Sequence, residues 1–306
     1  MKIVVTQPVH PEILDLLAGH GEVTIGAMEN AFDAEALMVF MPDLIDEDFL
    51  AMRPRLKVVS AALKGFDNFD VEACTRRGVW FTIVPDLLTE PTAELALALM
   101  LGLARNVAAG DALIRSGGFE GWRPVLYGTG LTGSTVGIIG YGKVGKALER
   151  MLGGFGCHVL HHDVDSGVPL GELLAASDFV LPLLPLTPET LHLLDRVTIA
   201  EMKPGAFLIN VSRGSVVDEA AVADALVAGH LAGYAADVFE MEDWARADRP
   251  REISPRLLRL TDKTLFTPHL GSAVAKVRLE IERTAAFSII DVLSGQKPRN
   301  AVNQID

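Results

Sequence analysis

One stretch constrains the fold more than any other: Thr135-Val136-Gly137-Ile138-Ile139-Gly140-Tyr141-Gly142-Lys143-Val144-Gly145. A short apolar run leads straight into three glycines spaced G-x-G-x-x-G, and a helix is expected from Lys146. In a strand–turn–helix unit each glycine has its own task. Gly140 makes the tight turn, Gly142 lets the backbone approach a pyrophosphate, and Gly145 lets the helix pack on the strand. The helix N-terminus supplies N–H donors and the positive end of its dipole to phosphates. The next strand ends at His162-Asp163, within the roughly 20 residues expected for an acid that accepts from the adenosine-ribose hydroxyls. Asp163 would also repel a 2′-phosphate, so the pattern points to NAD over NADP, although Lys143 and His162 leave room for the phosphorylated form. Gly140, Gly142, Lys143, Val144, Gly145 and Asp163 are the dinucleotide candidates. The bland alternative is a purely structural strand–turn–helix.

The rest of the chain repeats the alternation. Before it, apolar strands at 2–5, 22–25, 36–40, 56–63 and 79–83 are separated by helical stretches. After it, strands are expected at 136–139, 157–161, 179–183, 206–209, 233–238 and 265–267. Alternation of this kind predicts parallel sheets covered by helices on both faces. The 306 residues suit two such domains, so the fold class is α/β with two Rossmann-like or flavodoxin-like domains.

The formal net charge of -13 argues against nucleic acid and anionic membrane surfaces as partners, since both favour a basic face. An anionic substrate would need a local cluster of cations. Cys74 and Cys157 make no metal or redox spacing and read as reduced thiols of a cytoplasmic protein. The N-terminal residues enter strand and helix directly, without a signal-peptide pattern. The longest apolar run, Leu95 to Ala104, is too short for a membrane span and fits a buried helix. His158, His161 and His162 raise the idea of a metal site, but adjacent strand residues point to opposite faces, and no metal is expected.

Three charged residues fall at expected strand ends in the second half: Arg213 in NVSRGSVVDE, Glu242 in DVFEMED and His269 in FTPHLGS. Ligands of such sheets bind at the carboxyl ends of the strands. Arginine grips an oxyanion through two donors, and histidine beside a carboxylate is a general base with a raised pKa. Taken singly, each has an ordinary reading: a solvated surface charge or a structural histidine.

Together with GFDNFD, Pro91-Thr92-Ala93-Glu94, GYGKVG, LPLTPET and TPHLGS, these stretches resemble the D-2-hydroxyacid dehydrogenase family over nearly the whole length. Within it, VFMPDLID, the segment 61–95 from AALKGFDNFD onward, FEGWRPVLYGTGL, GYAADVFEMEDWARADRPRE and HLGSAVAKVRLEIER look most like the phosphonate (phosphite) dehydrogenases. Typical family members carry Glu-Pro where this chain has Glu242-Asp243, and rarely lysine at the position of Lys64. The resemblance implies a discontinuous substrate-binding domain, residues 1–98 plus 276–306, an NAD-binding domain, residues 99–275, and an active site in the cleft between them. It implies oxidation of phosphite to phosphate, with hydride passing to NAD and water as nucleophile. Arg213 and Lys64 would bind the anion, beside Gly65, with His269 as base and Glu242 orienting it. Met41 and Ser272 would line the pocket and Arg278 would support it from behind. Trp122 and Tyr127 would reach it from a partner subunit or the nearby loop. Thr92, Leu184 and Asp237 are expected at the nicotinamide end, and Val211 and Ser212 are further cofactor-binding candidates. The resemblance also implies a homodimer, with helices near Leu101 to Arg115 at its interface.

The chain is shorter than the family pattern between Asp163 and Leu173 and between Gly26 and Ala36, and Ser212 stands where the nearest pattern has cysteine. Two other readings stay open. A D-2-hydroxyacid dehydrogenase acting on a small 2-hydroxy or 2-oxo acid needs only Arg213, Glu242, His269 and NAD. An NAD-sensing binding protein on the same scaffold would turn over nothing.

Overall fold

The structure, a computed structural model, describes residues 1–305. The chain separates into two units. Residues 1–88, 244–247 and those from 272 onward form the first; residues 89–243 and 248–271 form the second.

In the first unit, β1 (Lys2–Val5), α1 (Pro11–Ala18), β2 (Glu22–Ile25), β3 (Ala36–Val39), α2 (Glu47–Ala51), β4 (Val58–Ala61), α3 (Val71–Arg76) and β5 (Trp80–Thr82) follow in order. The strands make a parallel sheet, β2-β1-β3-β4-β5. β3 and β4 are buried at every position, as expected of strands covered on both faces. One face packs Val4, Leu37, Val39, Val59 and Phe81 against Ile45, Leu50 and Phe69. The other packs Ile3, Val5, Met38 and Val58 against Ile13 and Leu17, and against Ile281, Ala285 and Ile289 of the long helix Ala275–Leu293. Asp46 and Asp70 cap α2 and α3, accepting from the amides of Phe49 and Ala73, both at 2.8 Å. Between Gly26 and Ala36, where the chain is short, there is only a 3-10 turn, Met28–Asn30.

The second unit runs α4 (Thr89–Ala104), α5 (Val107–Arg115), β6 (Thr135–Ile139), α6 (Lys143–Leu152), β7 (His158–Asp163), β8 (Ser166–Gly167), α7 (Leu170–Ala176), β9 (Phe179–Pro182), α8 (Arg196–Glu201), β10 (Ala206–Asn210), α9 (Glu219–Val227), β11 (Leu231–Ala236), α10 (Pro255–Arg259) and β12 (Thr264–Phe266). The helix Ala275–Leu293 is then α11. The sheet order is β12-β11-β10-β9-β6-β7-β8, parallel except for β8 against β7. The order reverses between β6 and β9, which opens a crevice at the carboxyl ends of those strands.

Three features differ from the sequence reading. α6 starts at Lys143 rather than Lys146: Gly142 is its N-cap, so Gly145 lies in the first turn. The shortened stretch after Asp163 folds into the two-residue strand β8, paired through His162↔Gly167 and Asp163↔Ser166. The units divide before α4, whereas a boundary at 98/99 falls inside it. α4 is one continuous helix whose Ala93, Ala96, Leu99 and Met100 all enter the second unit's core. The return to the first unit comes at Ser272 rather than 276, and Trp244–Ala247 group with that unit as well.

No single helix among the described residues is long and apolar enough to cross a membrane; α4 and α5 reach the length only together, bent by 61°. Cys74 is buried, Cys157 half-buried, and both are free thiols.

Candidate active site

The glycine loop has the form its spacing implies. Gly140 adopts φ +94°, and a Cβ there would lie 2.6 Å from the Leu183 carbonyl oxygen and 2.8 Å from Leu184 Cδ2. A Cβ at Gly145 would meet the Gly140 carbonyl at 2.7 Å, so only glycine lets α6 sit this close to β6. Nothing lies within 4 Å of a Cβ at Gly142, which leaves open space over the N-terminus of α6. Lys143 and Val144 are the first residues of that helix, whose N-terminal N–H groups suit a pyrophosphate. Asp163 ends β7 and accepts from the amides of Tyr141 (2.6 Å) and Val164 (2.8 Å). Those bonds, first the one from Tyr141, hold its carboxyl below the usual range, so it stays ionised and able to accept further donors. The residues present fit a dinucleotide.

Beside it, the end of β10 is organised by Asn210, which the sequence reading passed over. Its fully buried side chain accepts from the Ser212 amide (3.1 Å) and hydroxyl (2.9 Å) and donates to the Arg213 carbonyl (2.9 Å). This fixes the Val211–Arg213 turn. An asparagine closing an apolar strand was the available signal, because its side chain readily bonds nearby backbone.

The end of β11 carries a 3-10 turn, Glu240–Glu242, and the end of β12 carries the loop of His269. Glu242 accepts from the Phe239 amide through Oε1 (2.6 Å) and from His269 Nδ1 through Oε2 (2.9 Å). A carboxylate can only accept, so the Nδ1–H tautomer is enforced and Nε2 is left as the nitrogen able to accept a proton. The His269 pKa is raised by that hydrogen bond, against the opposing effects of burial and of the Arg213 charge. Glu242, Arg213 and His269 are thereby brought together within the second unit.

His269 itself is left-handed, φ 55°. The conformation is held through Asp237: its carbonyl accepts from the His269 amide (2.9 Å), and its buried carboxylate accepts from Thr267 Oγ1 (2.6 Å), Leu270 N (2.7 Å) and Gly271 N (2.9 Å). Burial nevertheless pushes the Asp237 carboxyl up. Asp237, expected at the nicotinamide end, thus has a holding role that its sequence position did not reveal. Thr92 lies in the first turns of α4, its Oγ1 3.5 Å from the Gly271 carbonyl.

The remaining candidates belong to the first unit or to exposed segments. Lys64 and Gly65 follow β4 and are half-buried. Met41 follows β3, its sulfur receiving Asn68 Nδ2 at 3.2 Å. Ser272 precedes α11, where the Arg278 guanidinium lies 4.9 Å from the Phe40 ring centre and donates to Glu282 (3.0 Å). Trp122 and Tyr127 are 88 % and 82 % exposed, in the segment after α5. Of the three neighbouring histidines, His161 stacks on Tyr141 and His162 Nδ1 meets the Val168 carbonyl at 2.8 Å. No group of three metal-ligating side chains converges among the described residues.

With this geometry in place, residues 97–271 match the family model described as the NAD binding domain of the D-isomer specific 2-hydroxyacid dehydrogenases. The chain belongs to the D-2-hydroxyacid dehydrogenase family. It is an oxidoreductase whose cofactor is NAD. It is 36% identical over 293 residues to a glyoxylate reductase of Thermococcus litoralis, covering 90% of this chain and 86% of that one. It is 33% identical to the glyoxylate reductase of Thermococcus onnurineus, covering 99% and 96%. Among solved structures, the TT0316 protein of Thermus thermophilus superimposes with a TM-score of 0.93 at 34% identity, covering 99% of this chain and 100% of that one. The D-lactate dehydrogenase of Aquifex aeolicus, solved with NAD and lactic acid, gives 0.85 at 26% identity, covering 96% of each chain.

Glu242→Gln tests the dyad of this dehydrogenase. Without the carboxylate charge the His269 pKa is expected to fall toward its ordinary 6.5. The acid limb of the pH–rate profile for oxidation then moves to lower pH, and the maximal rate drops by up to about 10²-fold. The linkage runs the same way. Because the folded pKa is raised, the pair's stabilisation is fully present below the ordinary pKa and is lost as pH rises through the folded one.

Proposed function

We propose that this dehydrogenase oxidises phosphite, and that Lys64 is the observation that carries the choice of substrate. A small 2-hydroxy acid brings one carboxylate, for which Arg213 suffices. Phosphite is largely a dianion near neutral pH, and a second cation at the carboxyl end of a first-unit strand, Lys64 after β4, suits that charge. Supporting it is the Glu242-Asp243 pair in place of Glu-Pro. Asp243 is buried and accepts from the Ser215 amide at 2.6 Å.

The balanced reaction is HPO₃²⁻ + H₂O + NAD⁺ → HPO₄²⁻ + NADH + H⁺. Bound along Gly140–Gly145 and Asp163, NAD supplies the hydride acceptor. Arg213 and Lys64 hold the anion's oxygens. His269 Nε2 takes a proton from the attacking water, and the Glu242 carboxylate stabilises the imidazolium so formed. The P–H bond breaks as the new P–O bond forms.

A second reading is favoured by the relatives. Two of those named above are glyoxylate reductases and one is a D-lactate dehydrogenase, none a phosphite dehydrogenase, and the comparisons support a small 2-oxo acid better than phosphite. Arg213, Glu242 and His269 serve that chemistry equally, with the substrate hydroxyl in place of water. Purified protein assayed for NADH formation from phosphite, and for NADH consumption with glyoxylate and pyruvate, decides between them. The phosphite reading expects kcat/KM to favour phosphite by about 100-fold. Clear turnover of a 2-oxo acid with none of phosphite overturns it, and no turnover at all favours a binding protein. Lys64→Ala sharpens the result: KM for phosphite should rise about 10- to 100-fold with NAD affinity unchanged. Under the second reading glyoxylate turnover changes little.

We also propose a homodimer, supported by the exposed apolar side chains of Val107, Ile114 and Trp122 on and after α5; sedimentation tests it.

A further inference from the structure

Behind the dyad lies a cluster of buried acids that the mechanism above does not use. Glu219, the first residue of α9, is 4% exposed, and Glu240, the first of the 3-10 turn that ends in Glu242, is 7% exposed. Each carboxylate accepts the other's backbone amide: Glu219 N to Glu240 Oε1 at 3.1 Å, and Glu240 N to Glu219 Oε1 at 2.8 Å. Glu240 Oε2 also meets His192 Nε2 at 2.8 Å. We propose that Glu240 and Glu219 are positioning residues, a carboxyl pair that clamps the turn carrying Glu242 and so sets the Glu242–His269 bond; the proposal rests on the dehydrogenase reading.

Glu242 reaches His269 from a single 3-10 turn, and its other oxygen bonds the Phe239 amide of the same turn. If the turn tilts, the bond to His269 lengthens. Its first residue is fixed by the exchange with Glu219 and its far end by Asp243, which accepts from Ser215 N. Arg249 Nε adds a bond to the Met241 carbonyl at 2.9 Å. Two buried carboxylates this close are costly if both are ionised. Burial pushes Glu219 up to about 7, with the Glu240 and Asp243 charges acting in the same direction. Glu219 therefore takes up the proton near neutrality. Burial holds the hydroxyl of the wholly buried Tyr234 protonated, with the nearby acids acting in the same direction. Such a pair joins the N-terminus of α9 to the turn without relying on solvent.

The test reads His269 directly. Its titration is followed by NMR of the ring in the NAD-bound full chain, without substrate. Glu240→Ala should lower the His269 pKa by about 0.5 unit or more, because the loosened turn weakens the bond from Glu242. In turnover kcat should fall about tenfold with KM for NAD unchanged. Glu240→Gln keeps an oxygen for the Glu219 amide and should restore both. Should alanine prevent folding, Glu240→Asp, which keeps the charge and shortens the reach, takes its place with the same expectations. An unmoved His269 titration in whichever variant folds, whatever its melting temperature, overturns the proposal. So does a glutamine variant as impaired as alanine. If the titration moves but no substrate in the panel is turned over, the dehydrogenase reading fails and the clamp stands.

Discussion

Replacing His269 with asparagine is expected to lower kcat for oxidation by about 10²–10⁴-fold while leaving NAD affinity nearly unchanged. Asparagine is chosen for the backbone. Residue 269 sits at φ 55°, where most side chains are strained but asparagine is tolerated. Its amide can still donate to Glu242, so the loop held by Asp237 stays in place and the variant isolates the missing base. The glycine loop and Asp163 lie on other strands, and a titration with NAD alone should show little change. Initial rates with the best substrate across pH provide the measurement. A loss of less than tenfold would mean that the proton leaves by another route and that His269 acts through its charge alone.

Gly214→Ala is expected to be the most damaging single methyl group in the second unit. A Cβ there would fall 1.9 Å from the Phe239 carbonyl carbon and 2.2 Å from both its oxygen and the Glu240 amide nitrogen. All three are backbone atoms, so no side chain can swing aside. The two segments must part, and they are the ones that bear Arg213 and Glu242. A loss of about 3 kcal/mol is expected from overpacking of this kind. That corresponds to a fall of roughly 6–12 °C in melting temperature for a unit of this size. Calorimetry of the full chain measures it, and an unchanged transition would show that the segments separate without cost. Activity should fall more steeply than stability, because the anion grip and the dyad move apart together.

The parts of the site that could be read from the sequence are those encoded over short distances. The glycine spacing, the acid closing the next strand, and charged residues after apolar runs each depend on a local pattern, and Gly140 at positive φ, Asp163 at the end of β7 and the Glu242–His269 bond sit where that pattern puts them. Other parts depend on which strand ends become neighbours. Glu219 and Glu240 are separated by 21 residues and bond only because β10 and β11 pair. Asp237 reads as a cofactor contact until β12 brings Thr267–Gly271 against it. α6 begins earlier than expected because the G-x-G-x-x-G pattern suggests that the helix follows the third glycine, whereas that glycine is already helical. The substrate is the least local property. Relatives at 33–36% identity make the family plain, while the choice of anion is left to Lys64 and its surroundings.

The interleaving of the two units also bears on how the protein is made. The second unit is complete once Gly271 has been synthesised, whereas the first still lacks the helix that covers one face of its sheet. During synthesis Ile3, Val5, Met38 and Val58 therefore wait uncovered until Ile281, Ala285 and Ile289 emerge. Of the two units, the one begun first is finished second. A ribosome stalled before α11 would hold a finished nucleotide domain beside an open apolar sheet, the kind of surface that chaperones bind.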